Sequence, residues 1–140
     1  TLYYAKLRVV EDLLKITDDD VLKVAIYDFT SAEHNTAPRL AGLGATHQVV
    51  VSGEHWVDVL SRTANKGRAV REVQKTLGVT PDQTMVFGDF LNDLEMMDAA
   101  TYSFAMANAH PRLKERATWV APTNNANGVV RAIRTVLGLG

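Results

Sequence analysis

The first sixty residues combine one helical spacing with two short apolar runs. Near the start, four apolar residues fall on one helical face and predict a helix: Tyr3, Leu7, Val10 and Leu14. The acidic residues that follow, Asp18, Asp19 and Asp20, predict a turn. The runs at 21–29 and 48–52 are rich in β-branched and aromatic residues and predict strands. Residues 32–43 favour a helix, which Pro38 allows only if the helix begins there.

From residue 66 onward, helical and strand patterns alternate. A helix is predicted where apolar residues at 69, 70, 73 and 77 share one face, and Gly78 supplies its C-terminal stop. Strands are predicted at 84–87, 102–107 and 118–121, with helices at 91–99, 111–117 and over a final apolar face at 129–137. Such alternation predicts an α/β fold with a parallel, doubly wound sheet, and we expect a domain boundary near residues 60–65.

Composition and charge narrow the class of protein. The chain has 140 residues, of which 46% are hydrophobic, and its formal net charge is -1. This is enough apolar material for a folded core, and it lacks the basic excess expected of a nucleic-acid or anionic-membrane binder. The absence of cysteine excludes disulfides and thiolate metal sites and is compatible with a reducing compartment. We therefore expect a cytoplasmic protein with neither a nucleic-acid nor a membrane partner.

Three polar side chains follow the predicted strand at 84–87. Gly88 permits a tight turn, Asp89 leaves the strand end, and Asn92 and Asp93 fall in the first turn of the next helix. The carboxyl ends of parallel strands line the crevice where ligands bind. Two carboxylates repel each other there unless a hard cation lies between them, and Mg2+ prefers carboxylate oxygens together with water and substrate phosphate. The pattern predicts a magnesium site.

Helix capping is the alternative interpretation of the same residues. Asp and Asn are preferred at helix N-termini, where they accept hydrogen bonds from free backbone N–H groups and oppose the helix dipole. Capping accounts for one or two of the three side chains and leaves the third without a role.

Lys66 lies in the sequence NKG, immediately before the predicted amphipathic helix. A lysine beside the free N–H groups of a helix start suits an anion such as phosphate. On its own, a lysine beside a glycine is more often a solvated turn residue. The argument for phosphate therefore depends on Lys66 lying close to the acidic turn.

Taken in order, these residues resemble a known family. NKG, an amphipathic helix, FGDFLNDLEMM, and then FAMANAHPRLKERATWVAPTNNANGVV are similar to the C-terminal half of haloacid dehalogenase-like (HAD) phosphatases of the Cof type. The resemblance spans residues 64–134 and includes GDxxND followed by methionine, AMxNA, and NGV. It implies a Rossmann-like core, a small phosphorylated substrate such as a sugar phosphate, and Mg2+ as the cofactor.

The resemblance also implies a role for each site residue. Lys66 would neutralise the attacking aspartate and the phosphoryl group, Asp89 would bind magnesium, and Asn92 would contact phosphate. Asp93 would support the metal directly or through water. Phe90 stands where many members have glycine, and Asn108 would lie near the site with no assigned chemistry.

One family motif has no counterpart in the printed sequence. Members begin with DxDGT, whose first aspartate is the nucleophile and whose second is the general acid and base. AIYDFT at 25–30 has Asp28 after an apolar strand but no second aspartate, and we interpret it as a strand of the family's cap domain. The resemblance then makes 1–60 the later part of the cap and 61–140 the C-terminal part of the core, a piece that lacks its front half.

Two expectations follow from that omission. The strand at 84–87 would keep an unpaired edge, so the chain would dock its missing half, pair with another copy, or aggregate. The chain alone would show no turnover, because nothing accepts the phosphoryl group. A noncatalytic α/β binding module remains the alternative; a receiver-like phosphoacceptor fits less well, because the lysine precedes the acidic turn.

Overall fold

The computed structural model describes residues 6–16 and 20–139, which contain two β-sheets. The strands of the first are β1 (Lys23–Tyr27), β2 (His47–Gly53) and β3 (Trp56–Ser61); they are antiparallel, with β3 in the centre. The strands of the second are β4 (Met85–Gly88), β5 (Tyr102–Met106) and β6 (Trp119–Ala121); they are parallel, with β5 in the centre. The predicted α/β fold with a parallel sheet is confirmed.

The helix predicted near the start is wrong for the part that is described. Tyr3, Asp18 and Asp19 lie outside the described residues, and residues 6–16 contain only a 3-10 turn at Leu13–Lys15. Leu13 and Leu14 are 74% and 89% exposed. An amphipathic helix is stabilised mainly by packing of its apolar face, and this face has no surface to pack on here.

The helix predicted at 32–43 is broken into three short pieces. A π-helical turn at Ala32–Thr36 is followed by α1 (Ala37–Arg39), with Pro38 in its first turn, and then by a 3-10 turn at Ala41–Ala45. Proline is tolerated at a helix start and disrupts a helix interior, so one continuous helix through Pro38 is disfavoured.

The helices of the second part follow the predicted order. They are α2 (Lys66–Leu77), α3 (Leu94–Met97), α4 (Pro111–Arg116) and α5 (Gly128–Leu137). The α2 helix ends at Gly78 as predicted, in a left-handed conformation with φ 66°. The α3 helix is shorter than predicted because its first turn, Leu91–Asp93, is a 3-10 turn. None of the helices in the described part has the length and apolar composition that a membrane span needs.

Leu91 connects the two parts of the core. The larger apolar cluster surrounds β5 and includes Phe104, Ala105 and Leu113. The smaller cluster lies under the antiparallel sheet and includes Ala32, Val51 and Val57, yet Leu91 from the turn after β4 is buried in it. The turn that carries the acidic residues follows β4 of the parallel sheet and is packed, through Leu91, against the antiparallel sheet.

Candidate active site

Lys66 is the first residue of α2, and packing fixes its position. Asn65 caps the helix, its Oδ1 accepting from the backbone N–H of Arg68 at 2.7 Å. A Cβ added to Gly67 would lie 2.2 Å from the carbonyl oxygen of Glu95, so only glycine allows α2 to approach α3 this closely. The glycine of NKG thus brings Lys66 to the acidic turn.

Asp93 connects Lys66 to that turn. Its Oδ1 accepts a hydrogen bond from the Lys66 ammonium group, and its Oδ2 accepts from the backbone N–H of Asp89 at 3.0 Å and of Phe90 at 3.4 Å. The Asp93 side chain is 5% exposed and that of Lys66 is 50% exposed. Because both carboxylate oxygens have protein partners, Asp93 orients the ammonium group and holds the turn in shape.

Gly88 makes room for this arrangement. A Cβ at that position would lie 2.6 Å from Cβ of Asp93 and 2.8 Å from its Oδ2. Any side chain there would displace the Asp93 carboxylate. The glycine that the sequence marked as a turn residue is needed because of a close approach, since its φ is not positive.

Asp89 and Asn92 differ from Asp93 in having free side chains. Asp89 is exposed and Asn92 half-buried, and neither side chain makes a hydrogen bond within the part of the chain that the structure describes. Helix capping therefore accounts for the contacts of Oδ2 of Asp93, but it gives no role to the side chains of Asp89 and Asn92. Their oxygens can accept contacts from a ligand.

Lys66 lines three cavities. One of about 560 Å³ is also lined by Asp89, Asp93 and Asn124, a second of about 110 Å³ by Asn92, and a third of about 470 Å³ by Asn65 and Arg68. The structure thus brings Lys66, Asp89 and Asp93 together at the carboxyl end of β4, and Asn92 lines a different cavity from Asp89. Lys66 lines both of these cavities, so it can contact an anion in either.

The carboxylate oxygens of this site fit a magnesium ion that takes most of its ligands from water and substrate phosphate. Within residues 6–16 and 20–139, no three His, Cys, Asp or Glu side chains are grouped closely enough to hold a metal by themselves. Mg2+ is commonly bound by one or two carboxylates, with water and substrate phosphate completing its octahedron. Asp89 supplies such a carboxylate, free of protein partners.

The sequence did not reveal the neighbours of the turn. The backbone N–H of His110 donates to the carbonyl of Asp89 at 2.9 Å, and the rings of His110 and Phe90 meet edge to face, with centroids 5.5 Å apart. Nε2 of His110 lies 3.3 Å from Oε2 of Glu33, which belongs to the first part of the chain. The positions of His110, Phe90 and Glu33 in the sequence follow no periodic pattern that would predict these contacts.

Asn108 also has a structural partner. Its Oδ1 accepts from the backbone N–H of Asn124 at 3.3 Å, which joins the loops after β5 and β6. Asn124 lines the Asp89 cavity, so Asn108 reaches the site through it.

The Asp28 carboxylate makes its hydrogen bonds to side chains and backbone of its own loop. Its carboxylate accepts from the hydroxyl of Thr36 at 2.6 Å, from the N–H and hydroxyl of Thr30 at 2.8 and 2.7 Å, and from the amide of Asn35 at 2.9 Å. These hydrogen bonds hold the pKa of Asp28 far below its ordinary value, and the bond from the Thr36 hydroxyl has the largest effect. A buried carboxylate so fully bonded is a structural group of this loop.

Comparison with known proteins gives a consistent family assignment. The family model of haloacid dehalogenase-like hydrolases matches residues 3–133. A 5-amino-6-(5-phospho-D-ribitylamino)uracil phosphatase of Bacillus subtilis is 36% identical over 86 residues, which cover 61% of this chain and 30% of that protein. A phosphoglycolate phosphatase of Methanothermobacter thermautotrophicus is 36% identical over 76 residues, covering 54% of this chain and 34% of that protein.

Solved structures agree with the sequence comparison. The structure of a haloacid dehalogenase-like hydrolase from Bacillus subtilis superposes with a TM-score of 0.74 at 27% identity, over 86% of this chain and 44% of that one. The chain thus spans less than half the length of these relatives. Its order of elements, its GDxxND turn and the match over nearly its whole length identify the chain as a member of the haloacid dehalogenase-like hydrolases of the Cof type.

Proposed function

We propose that this chain carries the metal-binding and phosphate-binding part of a magnesium-dependent phosphatase for small phosphorylated metabolites. Residues 61–140 form the C-terminal part of the catalytic core, and residues 1–60 form the later part of a cap domain. The nucleophilic aspartate comes from a segment outside the printed sequence. The observation that carries this proposal is the Lys66–Asp93 ion pair beside the free carboxylate of Asp89.

Each residue has a part in phosphoryl transfer. Asp89 holds Mg2+, and Asp93 supports the metal site by fixing the backbone of Asp89. Lys66, oriented by Asp93, neutralises charge on the phosphoryl group, and Asn92 donates its amide to a phosphate oxygen. Bound Mg2+ supplies further positive charge to the phosphate oxygens, which is the main need of a phosphoryl-transfer site.

The proposed partner of β4 is a strand that carries the nucleophile. In the described residues β4 pairs only with β5, so its other edge presents unpaired backbone groups. Apolar residues Val73 and Leu77 of the neighbouring α2 are 56% and 68% exposed. We expect the purified chain to bind its missing half or a second copy, and a stable monomer by sedimentation at micromolar concentration would contradict this.

For the substrate we propose only a chemical class, and for the location only a cellular compartment. The two curated relatives above are named for different phosphate esters although both are 36% identical to this chain, so similarity alone does not select a substrate. A sugar phosphate is the commonest suggestion from the family. The absence of cysteine favours a cytoplasmic location.

Adding the missing half tests the proposal. The chain alone and the chain joined to the segment encoded upstream of Thr1 are assayed for hydrolysis of p-nitrophenyl phosphate with and without Mg2+. We expect no turnover by the chain alone and Mg2+-dependent turnover by the joined protein. Lys66→Met and Asp89→Asn each lower kcat/KM by about 100-fold or more, while Lys75→Met, at the exposed end of α2, leaves it unchanged.

Two results would overturn the phosphatase proposal. One is robust hydrolysis by the chain alone, which would mean that the nucleophile lies within it. The other is an upstream segment without DxDGT and a joined protein without turnover, which would favour the noncatalytic binding module.

A further inference from the structure

The backbone of Asp89 is held on both sides. Its N–H donates to Oδ2 of Asp93 at 3.0 Å, within the acidic turn, and its carbonyl accepts from the N–H of His110 at 2.9 Å, from the loop after β5. The Asp89 side chain makes no hydrogen bond in the part of the chain that the structure describes. The direction of this carboxylate is therefore set by its backbone, and His110 supplies one of the two backbone contacts.

Three contacts fix the ring of His110. Its Nδ1 accepts from the backbone N–H of Arg112 at 3.2 Å, its ring meets that of Phe90 edge to face, and its Nε2 lies 3.3 Å from Oε2 of Glu33. Because Nδ1 is an acceptor, the neutral ring carries its proton on Nε2 and donates it to Glu33. The His110 side chain is 16% exposed, so Glu33 satisfies a largely buried donor and needs no charge on the imidazole to do so.

Glu33 belongs to a segment that is fixed to the first part of the chain. The preceding residue, Ala32, is fully buried in the smaller apolar cluster. The buried carboxylate of Asp28, just after β1, accepts from the side chains of Asn35 and Thr36 at 2.9 and 2.6 Å. Glu33 thus extends from a fixed segment and contacts the second part of the chain across 77 positions of sequence.

We propose that Glu33 is a positioning residue for the metal site: through His110, it holds the backbone of Asp89 in the conformation that binds Mg2+. Loss of the Glu33 acceptor frees the His110 ring, and the hydrogen bond from the His110 backbone to the Asp89 carbonyl then opens more often. The position of the first part of the chain is in this way transmitted to the metal ligand. This inference rests on the proposed function, because it takes Asp89 to bind the metal.

Amide hydrogen exchange measures the first step without any metal. In the 15N-labelled chain, Glu33→Ala should raise the exchange rate of the His110 amide about 3- to 10-fold. The amide of Phe104, in the central strand of the parallel sheet, should keep its rate. Glu33→Gln retains an oxygen that accepts from Nε2–H and should restore the wild-type rate at His110. Glu54→Ala removes the same charge from the exposed turn between β2 and β3 and should change neither rate.

Titration of the labelled chain with MgCl2 measures the second step. Glu33→Ala should raise the Mg2+ dissociation constant about 3- to 5-fold, and Glu33→Gln should leave it unchanged. His110→Ala removes the same contact from the other side, so the double variant should bind Mg2+ no more weakly than His110→Ala alone. Glu33→Asp keeps the charge but shortens the side chain; it should behave like Glu33→Ala and provides the test if the alanine variant is poorly folded.

The possible failures are distinguishable. An unchanged His110 exchange rate in Glu33→Ala, or a Mg2+ dissociation constant that stays constant while the urea midpoint falls, would make Glu33 a stabilising residue only and overturn the positioning role. Effects of the two single variants that multiply in the double variant would overturn it as well. In each of these cases Mg2+ binding at Asp89 stands. A wild-type chain that shows no response to Mg2+ would overturn the proposed metal site, and the positioning of a metal ligand would fail with it.

Discussion

Lys66 donates a hydrogen bond to Asp93, and this ion pair joins the start of α2 to the turn after β4 across 27 positions of sequence. The same carboxylate binds the N–H groups of Asp89 and Phe90, so the lysine and the backbone of the proposed metal ligand share one support. Loss of Asp93 should therefore disturb both.

Replacing Asp93 tests this support. Asp93→Ala leaves two backbone donors and an ammonium group without their acceptor, and we expect the free energy of unfolding to fall by about 1–3 kcal/mol. Most of the loss comes from the buried carboxylate, since the half-exposed lysine is solvated. Urea denaturation measures it, with Glu72→Ala on the exposed face of α2 as a control expected to stay within ~0.5 kcal/mol.

Replacing Gly67 tests the contact between α2 and α3. The added Cβ of Gly67→Ala would meet the Glu95 carbonyl at 2.2 Å, so the helices must separate, at an expected cost of about 1–3 kcal/mol. Gly44→Ala is the matched control because nothing lies within 4 Å of the added Cβ. Equal thermal midpoints for the two variants would contradict the packing described here.

Replacing Leu91 tests whether the two sheets unfold together. Leu91 is 9% exposed and packs with residues of the antiparallel sheet, so Leu91→Ala should cost about 2–5 kcal/mol. Trp56 reports on β3 and Trp119 on β6, and single-tryptophan versions separate their fluorescence. Both transitions should move to lower urea in the Leu91 variant. A shift at one tryptophan alone would show that Leu91 does not couple the sheets.

Asp28 gives the first part of the chain a defined pH dependence. Its pKa is lowered from the ordinary value of 3.8, chiefly by the Thr36 hydroxyl, so its stabilising effect is present above about pH 4 and is lost as the pH falls toward the folded-state pKa. The difference in unfolding free energy between wild type and Asp28→Asn should shrink between pH 5 and about pH 2. A constant difference over this range would mean that the ionised form has no special role.

Local patterns were sufficient to predict most elements of the second part. The apolar spacing before Gly78 and the short runs ending at Phe87 and Ala121 correspond to α2, β4 and β6. Lys66 also lies close to the acidic turn, as the argument for phosphate required, because Gly67 allows the start of α2 to approach α3 closely.

Long-range packing explains what the sequence could not predict. Burial of Leu91 beneath the other sheet depends on tertiary contacts that leave no periodic signal near residue 91. The first helix fails for the opposite reason, since Leu7 and Leu14 belong to the predicted helical face but are 60% and 89% exposed, without a surface to pack on. Gly88 was recognised as a turn residue, whereas the requirement for glycine at positions 67 and 88 comes from close backbone and side-chain approach across the fold.

Binding of Mg2+ at Asp89 tests the central claim most directly. The chain, labelled with 15N, is titrated with MgCl2 at millimolar concentration and then with inorganic phosphate. We predict that the amides of Gly88 and Asp89 shift with Mg2+, that the Lys66 amide shifts only when phosphate follows, and that Asp89→Asn abolishes both responses while stability stays unchanged. Unaltered Mg2+ and phosphate shifts in Asp89→Asn, matching those of the surface control Glu115→Gln, would contradict the account.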